Sequence, residues 1–248
     1  MISLVDVHKS FGSQKVLNGL SLDIEAGKTT VVIGKSGGGK SVLLKHIIGL
    51  LKPDSGKIIV DGDDISRMND RQLNEVRKKF GMLFQEAALF DSMNVGENVA
   101  FPLREHTKMK NREIMRIVGE KLGAVGLAGV EAKMPSELSG GMRKRVGLAR
   151  AIAMQPAIVL FDEPTTGLDP IMTEAVNELI MNTQKNFDLT CVVISHDVRS
   201  IFKVGHKIAM LYEGQIVESG TPEEIQDSEN PVLKQFLAGD LEGPISVV

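Results

Sequence analysis

Residues 34 to 41 constrain the fold of this chain more than any other stretch of its sequence. They are Gly34, Lys35, Ser36, Gly37, Gly38, Gly39, Lys40 and Ser41, which match the pattern G-x-x-x-x-G-K-[ST]. An apolar run ending at Ile33 precedes them, and apolar residues recur at helical spacing from Val42 onward. In a strand–turn–helix, the glycines let backbone N–H groups surround phosphate oxygens, and the helix N-terminus adds partial positive charge. We therefore predict a phosphate loop at 34–41, in which Lys40 reaches the β- and γ-phosphates of a nucleotide and Ser41 binds Mg²⁺.

Composition limits the classes of protein that this chain can belong to. The 248 residues, 42% of them hydrophobic, suffice for one large α/β domain or two lobes. A net charge of −3 gives no global basic field for nucleic acid, and a single cysteine, Cys191, excludes a disulfide framework. The first residues lack a signal-peptide pattern, and no run approaches the ~18 apolar residues of a membrane span. Any role at a membrane is therefore expected to come through a partner.

The order of apolar runs predicts an α/β chain with a helical insertion. Strand patterns occupy Ile2–Val7, Thr29–Ile33, Lys57–Val60, Phe80–Phe84, Ala157–Phe161 and Leu189–Ile194, and a hairpin surrounds Glu213-Gly214. Between about 85 and 156 strand signals vanish and helical patterns dominate, notably at 111–125 and 141–154. From these patterns we expect an α/β fold with an inserted helical lobe, followed by a polar extension at 228–248.

Two carboxylates, Asp162 and Glu163, follow the apolar run Ile158–Phe161. Unpaired carboxylates beside a buried strand are unfavourable, so a Mg²⁺–nucleotide complex is a natural compensating partner. By strand alternation the two side chains face different ways. Asp162 would then hold the Mg²⁺ shell, and Glu163 would polarise a water for attack on the γ-phosphate. Without the phosphate loop, a strand followed by an acidic helix cap would be the better explanation of this stretch.

A second glycine-rich helix start lies at Leu138-Ser139-Gly140-Gly141-Met142-Arg143-Lys144-Arg145. Its hydroxyl, glycines and following cations form another anion-receptive helix N-terminus. A helix from 141 to 153 would be about 20 Å long, which displaces its start from the strand that carries Asp162. One chain would not bring both glycine-rich helix starts to one γ-phosphate, whereas two chains arranged head to tail could. The alternative is an ordinary helix start with a solvated basic face.

Four further features are weak individually. His196 follows the strand ending at Ile194 and could contact a γ-phosphate or orient water. Gln85 follows the strand at 80–84, at the carboxyl end where open α/β sheets bind ligands. Gly167-Leu168-Asp169-Pro170 is a turn leading into a helix, and Phe11 could stack on a purine or simply pack in a core.

Taken together, these stretches resemble the ATP-binding subunits of ABC transporters over nearly the whole chain. The motifs occur in the family's order: the adenine-stacking Phe11, the phosphate loop, the Q-loop Gln85, the signature segment Leu138–Met142, the acidic strand end, the D-loop at 167–170 and the switch His196. The resemblance implies an α/β ABC ATPase fold, with a P-loop NTPase core of mixed sheet, an antiparallel β subdomain and an inserted helical subdomain. It implies an ATPase domain at 1–227, with its core at 1–84 and 157–227 and its helical subdomain at about 85–156, before the extension at 228–248. It also implies that the chain hydrolyses ATP with Mg²⁺ in a homodimer formed on ATP binding. It places nucleotide contacts at Phe11, Val16, the phosphate loop, Val42, Ser139, Gly140, Gly141 and Asp169. It assigns catalysis to Glu163, His196 and Gln85, and the metal to Ser41, Gln85 and Asp162.

Departures from the common family pattern indicate one branch. The signature ends in Met142 where Gln is usual, Val42 follows Ser41 where Thr is usual, and the adenine aromatic is Phe11 instead of Tyr. With the stretch 89–105 and the tail 235–244, these are similar to the Mla-type (maintenance of lipid asymmetry), MCE-associated phospholipid transport ATPases of double-membraned bacteria. Met142 leaves open a slower hydrolysis, while Ser139 and the glycines keep their phosphate donors.

The branch implies partners and a location. ATP would close the dimer, and the motion would pass to an integral membrane permease through a groove lined by residues from Gln85 to Arg104. An MCE-type lipid-binding protein and a small STAS-domain regulator are the other implied partners, and nucleic acid is not. The chain is expected at the cytoplasmic face of the bacterial inner membrane, with its tail from about 228 to 248 reaching the neighbouring subunit.

Three alternatives stay open at this stage. The ATPase could serve another cargo, such as amino acids or peptides. It could be a soluble ABC ATPase acting on nucleic acid or the ribosome, although such proteins usually carry two such domains or long coiled-coil insertions. It could be a P-loop kinase, but Glu163 and the signature segment favour water as the acceptor.

Overall fold

The computed structural model describes residues 1–246. Its strands are β1 Ile2–Phe11, β2 Gln14–Ile24, β3 Thr29–Ile33, β4 Ser55–Val60, β5 Asp63–Asp64, β6 Phe80–Leu83, β7 Ile158–Asp162, β8 Thr190–Ile194, β9 Lys207–Tyr212 and β10 Gln215–Gly220. Its α-helices are α1 Lys40–Ile47, α2 Asp70–Arg77, α3 Val95–His106, α4 Asn111–Ala124, α5 Gly140–Ala151, α6 Pro170–Phe187, α7 Val198–Val204, α8 Pro222–Gln226 and α9 Pro231–Ala238. Single 3-10 turns occur at Ile65–Arg67 and Pro135–Glu137.

The chain forms two compact units. Unit 1 contains Met1–Arg77 and the described residues from Thr190 onward, and unit 2 contains Lys78–Leu189. The predicted fold class is confirmed, because a mixed sheet, an antiparallel sheet and an inserted set of helices are all present. The subdomain boundaries at 85 and 156 stay a prediction. None of the helices within residues 1–246 has the length and apolar character needed to cross a membrane.

Unit 1 carries the phosphate loop on a buried strand. All five residues of β3 are buried, as expected for a strand covered on both faces. β3 pairs in parallel with β8, where Val32 lies opposite Ile194, and with β9, where Ile33 lies opposite Met210. β9 and β10 form the predicted antiparallel hairpin. A separate antiparallel sheet has the strand order β2-β1-β4-β5.

The first hairpin of unit 1 is longer than the sequence pattern indicates. The sequence predicts a strand ending at Val7 and two short strands around residue 19, whereas β1 continues to Phe11 and β2 is continuous. Gly19 adopts a φ of +82°, and the β1–β2 register shifts between Val7 and His8. A bulge of this kind absorbs a kink without ending the ladder, so the strand persists through a position that resembles a turn.

Unit 2 combines a parallel strand pair with helices. β6 and β7 pair from Phe80 opposite Ile158 to Leu83 opposite Phe161. α5 packs closely on β6, since a Cβ added to Gly81 would lie 2.3 Å from the carbonyl oxygen of Ala151. α3 begins at a capping box in which Asn94 and Glu97 bond each other's backbone N–H groups. The helical patterns predicted around 111–125 and 141–154 correspond to α4 and α5.

Candidate functional site

The phosphate loop of unit 1 has a backbone that glycine makes possible. Gly37 and Gly39 have φ values of +75° and +97°, which residues with a Cβ rarely adopt. A Cβ on Gly39 would also lie 3.0 Å from the Val16 Cγ1 atom, so the loop approaches β2 closely. α1 starts directly after Gly39 and has no side-chain cap. The conformation is that of a cradle at a helix N-terminus, which suits a phosphate group.

Lys40 is buried inside this loop. Its side chain is 6% exposed, and its ammonium donates to the carbonyl oxygens of Gly34 at 2.7 Å and Lys35 at 3.1 Å. A buried ammonium is stable only with such partners, and phosphate oxygens would be stronger ones. The loop therefore holds a desolvated cation that fits a triphosphate.

Other predicted nucleotide contacts of unit 1 surround this loop or lie on strand ends. Val16 touches Gly39, and Val42 accepts a hydrogen bond of 2.7 Å from the Nδ1–H of His46 through its carbonyl oxygen. Ser41 is exposed on the first turn of α1, and His196 is exposed just beyond β8. Their roles toward a nucleotide stay predictions.

Phe11, the predicted adenine contact, lies at the end of β1 with 46% of its surface exposed. The Lys9 ammonium lies 5.6 Å from its ring centroid and is held by the Asp54 carboxylate at 2.7 Å. Asp54 also accepts from the Ser10 N–H at 2.7 Å, and these bonds lower the pKa of its carboxyl group. The aromatic platform is thus braced by a carboxylate from the 52–56 turn, a function that the sequence analysis did not identify.

The last described residues contact the phosphate loop of their own chain. Lys35 Nζ donates to the Ser246 carbonyl oxygen at 2.9 Å. The buried Gln235 amide bonds both backbone groups of Ile245, and the Tyr212 hydroxyl donates to the Pro244 carbonyl oxygen at 2.8 Å. Residues 247 and 248 of the predicted extension lie outside the described residues. The predicted reach of the tail to a neighbouring subunit is untested by these contacts.

In unit 2, Glu163 departs from the strand geometry that the sequence analysis assumed. β7 ends at Asp162, and Glu163 has a φ of +53° at the start of a turn. Strand alternation therefore does not set its orientation. Instead, the Thr166 hydroxyl donates to Glu163 Oε2 at 2.7 Å, and the Thr166 N–H donates to the Glu163 carbonyl oxygen at 3.3 Å. Both Asp162 and Glu163 are half-buried.

The signature segment and the D-loop lie side by side in unit 2. Ser139 caps α5 by accepting the Met142 N–H at 3.3 Å, so the Met142 substitution leaves this cap in place. A Cβ on Gly141 would lie 2.1 Å from Met172 Cε, so the flexible end of the Met172 side chain would have to move to admit it. A Cβ on Gly140 would lie 3.8 Å from Leu168 Cδ2. Asp169 caps α6 by accepting the N–H groups of residues 171 and 172.

The three basic residues after the signature glycines differ in exposure, since Arg143 is exposed, Arg145 is half-buried and Lys144 is buried. Lys144 is only 7% exposed, and its ammonium donates to the Thr166 carbonyl oxygen at 2.7 Å. Burial lowers the pKa of Lys144, while the nearby carboxylates of Glu86 and Glu163 oppose that change. A run of three cations gives no sequence signal for which one is buried, so Lys144 was missed.

Gln85 lies in an exposed turn after β6 whose backbone is strained. Ala87 and Ala88 have φ values of +60° and +45°, and the Arg150 guanidinium donates to their carbonyl oxygens at 2.7 and 2.8 Å. Such conformations persist only when surrounding groups fix them. Arg150 therefore fixes the turn that follows Gln85, which we call the Q-loop clamp. The residues around Arg150 in the sequence do not predict this contact.

The predicted site residues are divided between the units. Unit 1 holds the loop, its neighbours and His196, and unit 2 holds Gln85, the signature segment, the acidic pair and Asp169. Among residues 1–246 there is no cluster of three or more His, Cys, Asp or Glu side chains that could bind a metal by itself. Mg²⁺ in nucleotide sites needs only one or two protein ligands beside phosphate oxygens, so the donor set fits that ion.

Known proteins resemble this chain along most of its length. The probable ribonucleotide transport ATP-binding protein mkl of Mycobacterium leprae is 48% identical over 99% of this chain and 71% of its own length. The intermembrane phospholipid transport system ATP-binding protein MlaF of Escherichia coli is 42% identical over 99% of this chain and 91% of its own. MlaF of Haemophilus influenzae is 44% identical over 94% and 89%.

Solved structures of ATP-binding cassettes also resemble this chain over most of its length. A dimeric post-hydrolysis state of the ATP-binding cassette MJ0796, bound to ADP and Pi, superposes with a TM-score of 0.82 at 30% identity, covering 90% of this chain and 99% of that one. CbiO1 of Clostridium perfringens superposes with a TM-score of 0.85 at 28% identity, covering 95% and 94%. The family model described as ABC transporter matches residues 17–166, and the chain belongs to the ABC transporter family.

Proposed function

We propose that this chain is the ATP-hydrolysing subunit of an intermembrane phospholipid transport system, in which it powers a membrane permease. The observation that carries the ATPase assignment is the buried Lys40 ammonium, held by the carbonyls of a glycine loop at the start of α1. The cargo assignment rests on likeness to MlaF proteins over 89–91% of their length.

In this proposal the residues of unit 1 bind the nucleotide. Phe11 stacks on the adenine, and Val16 and Val42 flank the loop. Lys40 exchanges its carbonyl partners for β- and γ-phosphate oxygens, because a charged acceptor binds an ammonium more strongly than a carbonyl does. His196 contacts the γ-phosphate.

The residues of unit 2 carry out the chemistry. Glu163 accepts a proton from the attacking water, and Gln85 positions that water. We assign Mg²⁺ to Ser41, Gln85 and Asp162, where it would neutralise the charge that develops on the phosphates. Thr166 holds the Glu163 carboxylate in place through the 2.7 Å hydrogen bond described above.

We further propose a homodimer on ATP binding. Ser139, Gly140, Gly141 and Asp169 would contact the nucleotide of the other subunit, because α5 presents an N-terminus with a hydroxyl cap and no acidic residue in its first turn. The MJ0796 cassettes, at 30–31% identity, are dimeric. The permease, an MCE-type lipid-binding protein and a STAS-domain regulator are the proposed partners, at the cytoplasmic face of the inner membrane.

A ribonucleotide cargo is the second candidate, favoured by the 48% identity to mkl. The phospholipid is preferred because the chain corresponds to 89–91% of MlaF but to 67–71% of mkl proteins. The signature Met142 and the 89–105 stretch also indicate the Mla-type branch.

The ATPase scheme is tested with Glu163→Gln, which removes the proton acceptor and keeps the shape of the side chain. We expect hydrolysis to fall by at least ~10²-fold, as loss of a general base does, and an ATP-bound dimer to accumulate in size-exclusion chromatography. Adding Ser139→Arg should abolish that dimer while ATP still binds, whereas Ser136→Arg, at an exposed serine nearby, should not. Hydrolysis at the wild-type rate in Glu163→Gln would refute the assignment of Glu163 as the general base.

The cargo is tested in the native membrane. The tagged chain is purified with its permease, and bound phospholipids and nucleotides are identified by mass spectrometry. The assembly is then reconstituted in vesicles, where ATP should drive movement of labelled phospholipid and Glu163→Gln should not support it. ATP-dependent uptake of labelled ribonucleotide without phospholipid movement would replace the proposal by the second candidate.

A further inference from the structure

Two hydrogen bonds in unit 2 connect the signature helix to the carboxylate of Glu163. The Lys144 ammonium, on α5, donates to the Thr166 carbonyl oxygen at 2.7 Å. The Thr166 hydroxyl in turn donates to Glu163 Oε2 at 2.7 Å. The segment 163–166 is thereby held by one bond between its two end residues and by a second bond from a side chain of α5.

Protein stability alone does not account for a lysine at this position. Lys144 is a buried residue whose ammonium carries a desolvation penalty, and an apolar side chain of similar length would avoid it. The bond that Lys144 makes is directed at one backbone carbonyl next to the D-loop. In some proteins a buried polar or charged group is retained for the geometry that it imposes, and the directed bond of Lys144 suggests that role here.

The segment that Lys144 contacts needs an external restraint. Glu163 has a left-handed φ of +53°, which is strained for a residue with a Cβ. Its carboxylate is oriented through Thr166, so any movement of Thr166 moves the carboxylate oxygen. A displacement of about 1 Å in a reacting group can reduce a rate by up to ~10²-fold.

We propose that Lys144 is a positioning residue for ATP hydrolysis, which fixes the 163–166 turn and so aims the Glu163 carboxylate at the attacking water. This inference rests on the proposed role of Glu163 as the base. It also gives α5 two functions, because the helix that begins at the signature Ser139 sets the geometry of the carboxylate in the same chain. Engagement of the signature by a partner's nucleotide would then steady the base of the chain that provides the signature.

The test compares Lys144→Met with Lys121→Met in the full-length chain. Lys121 is an equally buried lysine of unit 2, 5% exposed, but its ammonium lies over the Phe187 ring at 4.3 Å. We expect Lys144→Met to lower kcat by ~10-fold or more with the ATP Kd unchanged, since a misplaced base affects the chemical step alone. Lys121→Met should keep the wild-type kcat. Lys144→Arg, which can donate to the same carbonyl, should restore most of the rate.

A double-mutant cycle separates positioning from general loss of structure. In Glu163→Gln there is no base to position, so adding Lys144→Met should leave the residual rate unchanged within ~2-fold. Thr166→Val, which removes the hydroxyl and keeps the backbone carbonyl, should lower kcat as Lys144→Met does, because it breaks the second bond of the pair. If Lys144→Met does not fold, Lys144→Gln takes its place, since a shorter neutral side chain should also lower kcat with the ATP Kd unchanged.

Three results would overturn the inference. They are a wild-type kcat in Lys144→Met, an equal loss from Lys121→Met, or a further drop of the same factor in the Glu163→Gln background. Each of these leaves the ATPase scheme intact, provided that Glu163→Gln alone is inactive. Activity in Glu163→Gln would instead show that Glu163 is not the general base.

Discussion

The two units use buried or half-buried cations in different ways, Lys40 and Lys144 being buried and Arg150 half-buried. In unit 1, Lys40 donates to carbonyl oxygens of its own loop, five and six residues away along the chain. In unit 2, Lys144 and Arg150 donate to carbonyl oxygens that are 22 to 63 residues distant. The first cation sits in a cradle that a ligand can enter, so its partners can be exchanged. Lys144 and Arg150 instead stabilise strained turns within unit 2, so we expect them to keep their partners throughout.

This difference is tested first at Lys40, where the largest effect is expected. Lys40→Ala removes the only side chain of the loop that is both cationic and buried within the described residues of 34–41. Hydrogen bonds to charged groups contribute ~1.5–3 kcal/mol each, so the ATP Kd should rise by at least ~10²-fold, measured by isothermal titration calorimetry.

Lys45→Ala is the matched control, because Lys45 is an exposed lysine on the same helix. It should bind ATP with wild-type affinity, and both variants should unfold at similar temperatures. An unchanged ATP Kd in Lys40→Ala would mean that this ammonium stays with the loop carbonyls when nucleotide binds, and the contrast between the units would disappear.

The same contrast explains which parts of the site the sequence predicts. The phosphate loop is contiguous, so its spacing, its glycines and its lysine are visible in eight residues. β3 and the β9–β10 hairpin are also local features and appear where the patterns place them. Lys144 and Arg150 gain their roles from partners that are far away in the chain. Their sequence neighbourhood is an ordinary basic amphipathic helix, and only packing distinguishes the buried cation from the exposed one.

Glu163 illustrates the same limit on a smaller scale. The sequence identifies the acidic pair after a buried strand, but assigns the two orientations by strand alternation. The strand ends one residue earlier, and the turn with Thr166 gives Glu163 its positive φ. Strand ends are decided by backbone hydrogen bonds that the residue pattern does not specify, so side-chain directions at this boundary could not be predicted.

A second prediction concerns the permanent clamp of unit 2. Arg150→Met removes both bonds to the Ala87 and Ala88 carbonyls and leaves the strained turn without its partner. We expect the free energy of unfolding in urea to fall by about 3 kcal/mol or more, since two bonds from a charged donor are lost at ~1.5–3 kcal/mol each. Arg112→Met, at an exposed arginine of α4, should change it by less than ~0.5 kcal/mol. A neutral effect of Arg150→Met would mean that the turn is stable without the clamp.

The smallest effect concerns His46, the fully buried imidazole of α1. Burial disfavours the charged form and lowers the pKa of His46 below its ordinary value near 6.5, although its bond to Val42 opposes this. As the pH falls below about 6.5, the unfolded chain therefore binds a proton that the folded chain does not, and the folded state loses stability. This loss is at most ~1.4 kcal/mol per pH unit, which is the limit for one proton.

The measurement is the free energy of unfolding in urea between pH 7 and pH 5, for wild type and His46→Gln. Glutamine can donate to the Val42 carbonyl but does not titrate, so the wild type should lose more stability on acidification than the variant. His106→Gln leaves the buried imidazole in place and should retain the full pH dependence. Equal slopes in wild type and His46→Gln would mean that the imidazole takes up its proton equally in the folded and the unfolded chain, so that burial does not lower its pKa. The helix of the phosphate loop would then carry a second buried cation below about pH 6.5, in addition to the exchangeable one at Lys40.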